Sequence, residues 1–347
     1  MSVGLPAMNA VVRETYGSPD GLKVLEVPRP EMADVDVLVR VAAVSVNRVD
    51  WYLITGTPLV GRMQLGLSRP KNLQIGMDFA GTVDAVGRHV TDFQPGDEVF
   101  GVRGGAFAEF VSVNAGIALK PAHLSFEEAA AVPLAGITAL QGLRDKGGLQ
   151  PGHRVLINGA SGGVGTFAVQ IAKMLGAEVT AVCSTGNLEQ ARSLGADHVI
   201  DYTREDFTRS DQRYDLMFDI AGNRPWSHCR RVLMPKATVV LVGGPANRVL
   251  GPLGHVARVL LGTMFSRRRT TFLVPTFNRA DMDYLRKLLE ARSLSPVIDK
   301  RYGAQSIAEA VSYMGEGHAR GKIVVSMAVS STPTVAPGGT SAVLKGP

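Results

Sequence analysis

Cysteine is nearly absent: Cys183 and Cys229 are the only two in 347 residues. That excludes a disulfide framework and any metal site built from several thiolates. A reduced, cytoplasmic setting is the expectation. No run of about 18 apolar residues is free of charge, the length a membrane-crossing helix needs. The nearest approach, residues 249–266, carries His255 and Arg258 among several glycines. The opening residues show no basic region followed by an apolar run, so no secretory leader is expected. Strong charge of one sign is also missing. Lys+Arg number 37 against 31 Asp+Glu, a net +6 spread along the chain. No nucleic-acid partner is implied, and an anionic small ligand fits that balance equally well.

Hydrophobic residues at 45% and charged residues at 20% are ordinary for a folded chain and exclude general disorder. The length calls for two domains. The component in excess is glycine, 39 residues, so many backbone positions must do without a side chain. In the first third, Val35, Val37, Val39 and Val41 alternate with Asp36, Leu38, Arg40 and Ala42, a period-2 strand with one buried face. Short apolar runs broken by Gly and Pro continue to about Leu119, which suits a heavily turned barrel-like unit. Ser125 and Glu128 have capping-box spacing, and so do Ser306 and Glu309. From Arg154 onward strand-like runs alternate with helix-length segments, the pattern of parallel strands joined by crossover helices. Gly176 and Gly195 stand where helices should end. A helix is expected from Asn278 to Ala291, with Met282, Leu285, Leu288 and Leu289 as its apolar stripe. KIVVSM reads as a closing strand, and the Ser/Thr/Pro/Gly-rich residues after Met327 read as disordered.

The most specific motif runs from Arg154 to Gly165, RVLINGASGGVG. A strand enters a glycine cluster that opens a helix. Glycines allow the sharp turn and close approach of a pyrophosphate, and the helix start offers unpaired N–H groups and partial positive charge. Site residues read here are Ser161, Gly162, Gly163 and Val164. An NAD-preferring site places an acid about 20 residues on to hold the ribose 2′-hydroxyl. Between Val179 and Leu188 there is none. Ser184, Thr185 and Asn187 can bond a 2′-phosphate instead, with Arg192 and Arg204 as charge partners, so NADP is favoured over NAD.

With these motifs in place the chain resembles the medium-chain dehydrogenase/reductase superfamily, and within it the zinc-free quinone oxidoreductase-like branch. The matching pieces are Asn47–Asp50, Gly76–Gly81 (GMDFAG), Pro95–Val99, Gly105–Glu109, Val132–Thr138, the glycine cluster, and His318–Ile323 (HARGKI). The resemblance implies an α/β protein: a GroES-like β-barrel domain plus a Rossmann doubly wound parallel-sheet domain. Expected divisions are 1–131 for the GroES-like catalytic part and 132–275 for the NADP-binding part. Residues 276–328 return to the catalytic part, and 329–347 form a disordered tail. The resemblance places Thr138 near the nicotinamide, Gly162, Gly163 and Val164 on the pyrophosphate, and Ser184 and Tyr202 near the adenosine phosphate. It places Gly243 by the nicotinamide ribose and Asn47 and Tyr52 on the substrate wall. It also implies a homodimer. Zinc-dependent members carry metal ligands where this chain has Asn47, Met77 and a residue near Leu134. An amide, a thioether and an alkyl chain do not make a catalytic zinc site, so no zinc is expected.

Alcohol oxidation needs a metal or a positioned base to take the proton, and no Tyr-x-x-x-Lys pair occurs. Reduction of a quinone or an activated alkene (enone) asks less. Hydride adds to an electrophilic carbon, and the protein donates hydrogen bonds to the growing oxyanion. Asn47 and Tyr52 are the candidate donors. The plain alternatives are that Asn47 caps a turn beside Asp50, that Tyr52 lines a pocket, that Asp50 and Asp78 are structural, and that both cysteines are buried hydrophobes. Rival activities are a zinc-independent enoyl-thioester reductase, an NADP-binding scaffold or sensor without turnover, and an alcohol dehydrogenase. Residues 251–271 combine an apolar helical face, from Leu253 to Phe265, with Arg267–Arg269. They read as a lid or subunit-contact helix, or as a membrane-surface contact without stable insertion.

Overall fold

The computed structural model describes residues 6–244, 247–264 and 266–327. Near the N-terminus β1 (Ala7–Val12) and β2 (Lys23–Pro28) pair antiparallel. Then come β3 (Val37–Val46), β4 (Asp78–Val86), β5 (Glu98–Val102), β6 (Phe110–Val113) and β7 (Ile117–Leu119). Six strands follow: β8 (Arg154–Asn158), β9 (Glu178–Cys183), β10 (His198–Asp201), β11 (Tyr214–Asp219), β12 (Leu233–Leu241) and β13 (Arg269–Phe272). The described chain closes with β14 (Ile298–Gly303) and β15 (Lys322–Ser326).

These strands build two main sheets. One has the order β14-β15-β3-β4-β5-β7 with β6 also paired to β3, mostly antiparallel. It is the GroES-like barrel, and β14 and β15 are its returning C-terminal strands. The other has the order β10-β9-β8-β11-β12-β13, all parallel. That is a Rossmann sheet. Its order reverses between β8 and β11, and the crevice beyond the strand ends at that switch point is where such sheets bind ligands.

Burial follows from the strand sequences. Val155, Leu156 and Ile157 of β8 are all fully buried, as a parallel strand covered on both faces requires. In β3 Val37, Val39 and Val41 are buried while Arg40 is exposed, the expected alternation. Val35 lies before the strand and is exposed. The helix Gly163–Met174 packs Phe167, Ala168 and Ile171 against the Rossmann sheet. Phe218 of β11 fits where Gly142 has no side chain.

Local signals held in most places. Ser125 caps the helix Phe126–Ala130 with the full reciprocal box to Glu128. Asn278 caps the helix Arg279–Glu290, which buries Met282, Leu285 and Leu289. Gly176 and Gly195 have φ of +78° and +99°, left-handed values open to glycine. The box at Ser306 does not form. Ser306 has φ −103° and ψ 20°, and its side chain makes no cap bond to the helix Ile307–Glu316. The chain enters that helix from the 3-10 turn Ala304–Ser306, which keeps Ser306 out of the extended conformation a cap needs. Cys183 and Cys229 are buried, and burial pushes their thiols up to about 11 and about 12. The expected tail at 329–347 lies outside the described residues. Phe218→Ala is expected to cost about 3–5 kcal/mol, the usual range for a large core truncation, read as a lower midpoint in denaturant unfolding followed by circular dichroism.

Candidate functional site

Three strand ends place the polar side chains of the barrel. The C-terminal end of β3 lies between the N-terminal ends of β15 and β4. Ser45 is the register partner of Asp78, and Val46 that of Ile323. Asn47, Asp78 and Lys322 are therefore brought together by antiparallel pairing. All three are buried, Lys322 at 2% exposure and Asp78 at 0%. The Lys322 ammonium donates to Asn47 Oδ1 at 2.5 Å and lies 3.2 Å from Asp78 Oδ2. Asn47 Nδ2 donates to Asp78 Oδ2 at 2.9 Å and to the Ser45 carbonyl at 3.3 Å. Ser45 Oγ and the Leu134 N–H complete the shell of Asp78, at 2.8 and 2.9 Å. Both Asn47 donors are thus occupied within the protein.

Asn47 is also the N-cap of the helix Arg48–Thr55, and its N–H donates to Asp50 Oδ2 at 2.8 Å. Asp50 is fully buried, and its other oxygen has no partner among the described residues. Burial pushes its carboxyl up to about 7, which Asp78 reinforces and the Asn47 N–H and Lys322 oppose. A protonated Asp50 leaves Lys322 and Asp78 as a one-to-one pair. On the same helix Tyr52 is half-buried and meets Trp51 edge-on at 5.5 Å. Its hydroxyl has no hydrogen-bond partner among the described residues. Burial raises its pKa, with Arg48 opposing.

The glycine turn lies across from this cluster. Gly159 has φ +95°, open to glycine alone. A Cβ on Gly165 would overlap the Gly159 carbonyl and Ala160. At Gly162 nothing lies nearer than 3.8 Å to a Cβ position, so a ligand can approach the backbone. Gly162 is the N-cap of the helix Gly163–Met174 and supplies no side-chain cap, which leaves the first N–H groups of the helix for a ligand. At Gly163 a Cβ would stand 2.9 Å from Lys322 Cδ. The side chain that anchors Asn47 and Asp78 therefore runs along the turn. Ser161 and Val164 flank these glycines and are partly buried.

Just past the C-terminal end of β9, on the same sheet edge as the glycine turn, Ser184 accepts from Asn187 Nδ2 at 2.9 Å. Thr185 donates to Asp201 Oδ2 at 2.5 Å. Asp201 was invisible to the local reading because it belongs to β10 and reaches this point only through β9–β10 pairing. Thr203 and Arg204 also hold its carboxylate, at 2.7 and 3.5 Å. Arg192 is paired with Glu189. The cation that does stand beside this segment is Arg320, whose Nη2 is 3.4 Å from a Cβ position on Gly186. Tyr202 is exposed and follows Asp201.

Thr138, on the helix Pro133–Leu140, donates to the Leu134 carbonyl at 2.6 Å. Gly243, after β12, has no room for a Cβ against the Ile220 carbonyl. At the switch point Asn158 donates to Asp219 Oδ1 at 2.8 Å, and His255 lies 3.2 Å from Asp219 Oδ2, all three buried. No sequence signal marked His255. Asn158 and Asp219 were legible only as polar residues ending apolar strands.

The raised Asp50 carboxyl carries a sign. The native form binds its proton more tightly than the unfolded chain, whose ordinary value is 3.8. Its stabilising contribution is full below about pH 4 and is lost as pH climbs to about 7. Asp50→Asn is expected to flatten the fall in melting temperature between about pH 4 and about pH 8, as measured by scanning calorimetry.

Comparison with known proteins bears on this geometry. Residues 33–122 match the alcohol dehydrogenase GroES-like domain family, and residues 194–325 match the family described as zinc-binding dehydrogenase. A chloroplastic quinone-oxidoreductase of Triphysaria versicolor is 33% identical over 92% of this chain and 98% of its own. The 2-methylene-furan-3-one reductase of Solanum lycopersicum is 33% identical over 93% of this chain and 80% of its own. The solved quinone oxidoreductase of Coxiella burnetii superposes with a TM-score of 0.82 at 30% identity, covering 93% of this chain and all of that one. With barrel, switch point and glycine turn arranged as described, the chain belongs to the medium-chain dehydrogenase/reductase superfamily, in its quinone oxidoreductase-like branch.

Proposed function

We propose that the protein is an NADPH-dependent, zinc-independent oxidoreductase that transfers hydride to quinones or activated alkenes. The observation that carries this reading is Lys322, one buried side chain that packs on the phosphate-binding turn and ties together Asn47 and Asp78. Relatives named for quinones and for a methylene-furanone share most of the chain, which supports the acceptor class.

The bare turn at Gly159, Gly162 and Gly165 and the bare backbone at Gly243 fit a dinucleotide. When bound, the nicotinamide supplies the hydride. Ser161, Gly162, Gly163 and Val164 hold the pyrophosphate through the helix N-terminus. Ser184, Thr185, Asn187 and Tyr202 line the adenosine end, where Arg320 adds the charge that a 2′-phosphate calls for. Asp201 stays ionised beside this end, with Arg204 as its counter-charge and two threonine hydroxyls donating to it. Thr138 and Gly243 flank the nicotinamide end.

On the substrate side the donor is Tyr52. Its hydroxyl is unengaged among the described residues, and its raised pKa keeps the proton in place for a hydrogen bond to the acceptor oxygen. Asn47 holds Asp78 and Lys322 in position. The family description names zinc, but the residues at the ligand positions are Asn47, Met77 and Leu134, and this donor set does not fit a zinc ion. Among the described residues no helix is long and apolar enough to cross a membrane, and no group of three His, Cys, Asp or Glu is placed to hold a metal. We also place the protein in the cytoplasm as a homodimer. Leu261 and Met264, 68% and 63% exposed at the end of the helix Leu253–Thr263, are a natural contact for a second copy.

The deciding assay is stopped-flow NADPH oxidation against quinones, enones, enoyl thioesters and alcohol–aldehyde pairs, with and without a chelator. Quinones or enones should turn over regardless of chelator, and silence across the panel would leave only the scaffold reading. Tyr52→Phe is expected to lower kcat/KM for the acceptor roughly 100-fold or more with little change in NADPH binding, the loss of one oxyanion donor. Arg320→Ala should raise KM for NADPH about ten-fold and leave KM for NADH within about two-fold, the signature of a lost charge-assisted bond to phosphate.

A further inference from the structure

A cavity of about 740 Å³ opens beside the helix that carries Tyr52. Leu53, the residue after Tyr52, lines it, and so does Met77, the residue before Asp78. Three cations face it, Arg13, Lys71 and Arg103, and no carboxylate lies among its lining residues. None of the three is within 4 Å of a carboxylate oxygen among the described residues. The side chains of Lys71 and Arg103 make no hydrogen bond there either.

Arg13 is the unusual member. Its backbone follows β1 and donates to the Leu73 carbonyl at 3.0 Å, which draws the side chain inward. It is 3% exposed. One guanidinium nitrogen reaches the Asn72 carbonyl at a long 3.4 Å, while Nε and Nη1 have no partner among the described residues. The Tyr16 ring lies 5.3 Å from the guanidinium carbon. A buried cation with two orphaned donors is costly unless something pairs with it. Burial lowers its pKa, yet a guanidinium does not give up its proton in a protein. The charge is therefore present, and its donors are unmatched. Beside it are an apolar wall, Leu53 and Leu65, and the amides of Gln64 and Gln74. A pocket of this size is in the range for an organic ligand, larger than an inorganic ion requires.

We propose that this cavity binds the anionic group, a carboxylate or phosphate, of the acceptor, with Arg13 as its buried anchor and Arg103 and Lys71 at the mouth. The assignment to the acceptor rests on the reductase reading, because the cavity wall continues into the residues next to Tyr52 and Asp78. The preferred acceptors are accordingly acidic quinones or enones.

The test compares a para-quinone with its carboxymethyl derivative in the full-length enzyme. The acidic compound should show a KM about ten-fold lower, the scale of one charge-assisted pairing. That ratio should shrink toward one in Arg13→Met, in Arg103→Gln and at high salt. Arg103 is exposed, so its variant answers the question even where Arg13→Met fails to fold. Calorimetric titration of the carboxymethyl quinone without NADPH separates this site from the reaction. Binding that both variants weaken supports the site even where no acceptor is reduced. No binding, or equal KM values for the pair, overturns it even where neutral quinones are reduced. Inorganic phosphate should compete with the carboxymethyl quinone. Phosphate binding without any preference for the acidic acceptor would mean that the pocket serves a separate anion and would overturn the assignment to the acceptor.

Discussion

Burying the ammonium of Lys322 is the constraint around which the rest of the site is arranged. A charge that deep is tolerated only with a counter-charge and matched hydrogen bonds, and Asp78 and Asn47 supply both. Those partners come from strands far apart in sequence, and antiparallel register alone sets them side by side. A one-residue slip of β15 against β3 would turn Lys322 to the other face of the sheet. The same side chain fills the space left by Gly163. Barrel and Rossmann sheet are thus linked at the glycine turn.

The second carboxyl near this lysine is the telling one. Two acids beside a single buried cation cannot both ionise cheaply. The geometry resolves the conflict unequally. Asp78 receives four donors, whereas Asp50 receives one N–H and keeps an orphaned oxygen. Burial falls on Asp50, whose carboxyl is pushed up to about 7 and so titrates near neutrality. A zinc-dependent site would concentrate charge here around an ion. In this chain the buried Lys322 ammonium stands 3.2 Å from Asp78 Oδ2.

Charge beyond the C-terminal end of β9 follows similar logic. The Asp201 carboxylate is held ionised by Thr185 and Thr203, and Arg204 is its counter-charge. Arg320 stands over Gly186 because the segment after the helix Ile307–Glu316 crosses back to the Rossmann edge before β15 begins. At the switch point, Asn158, Asp219 and His255 satisfy one another and hold the ends of β8 and β11 in place.

Much of the fold was legible in the chain itself. Period-2 alternation marked β3, continuous apolar runs marked the parallel strands, and the glycine spacing marked the turn, because each depends only on near neighbours and backbone sterics. Ser125 formed its box and Ser306 did not, since a cap depends on how the preceding chain arrives, which two residues three apart do not encode. The sequence also identified Asn47, but not that both its amide donors would be consumed by Ser45 and Asp78. Tertiary structure alone decided the partners of Lys322, the approach of Asp201 to Thr185, the place of Arg320, and the unpaired burial of Arg13. Each is an interaction between residues distant along the chain, fixed by strand register and by which segments return to which sheet, and electrostatics at such points is set by burial that no local pattern records.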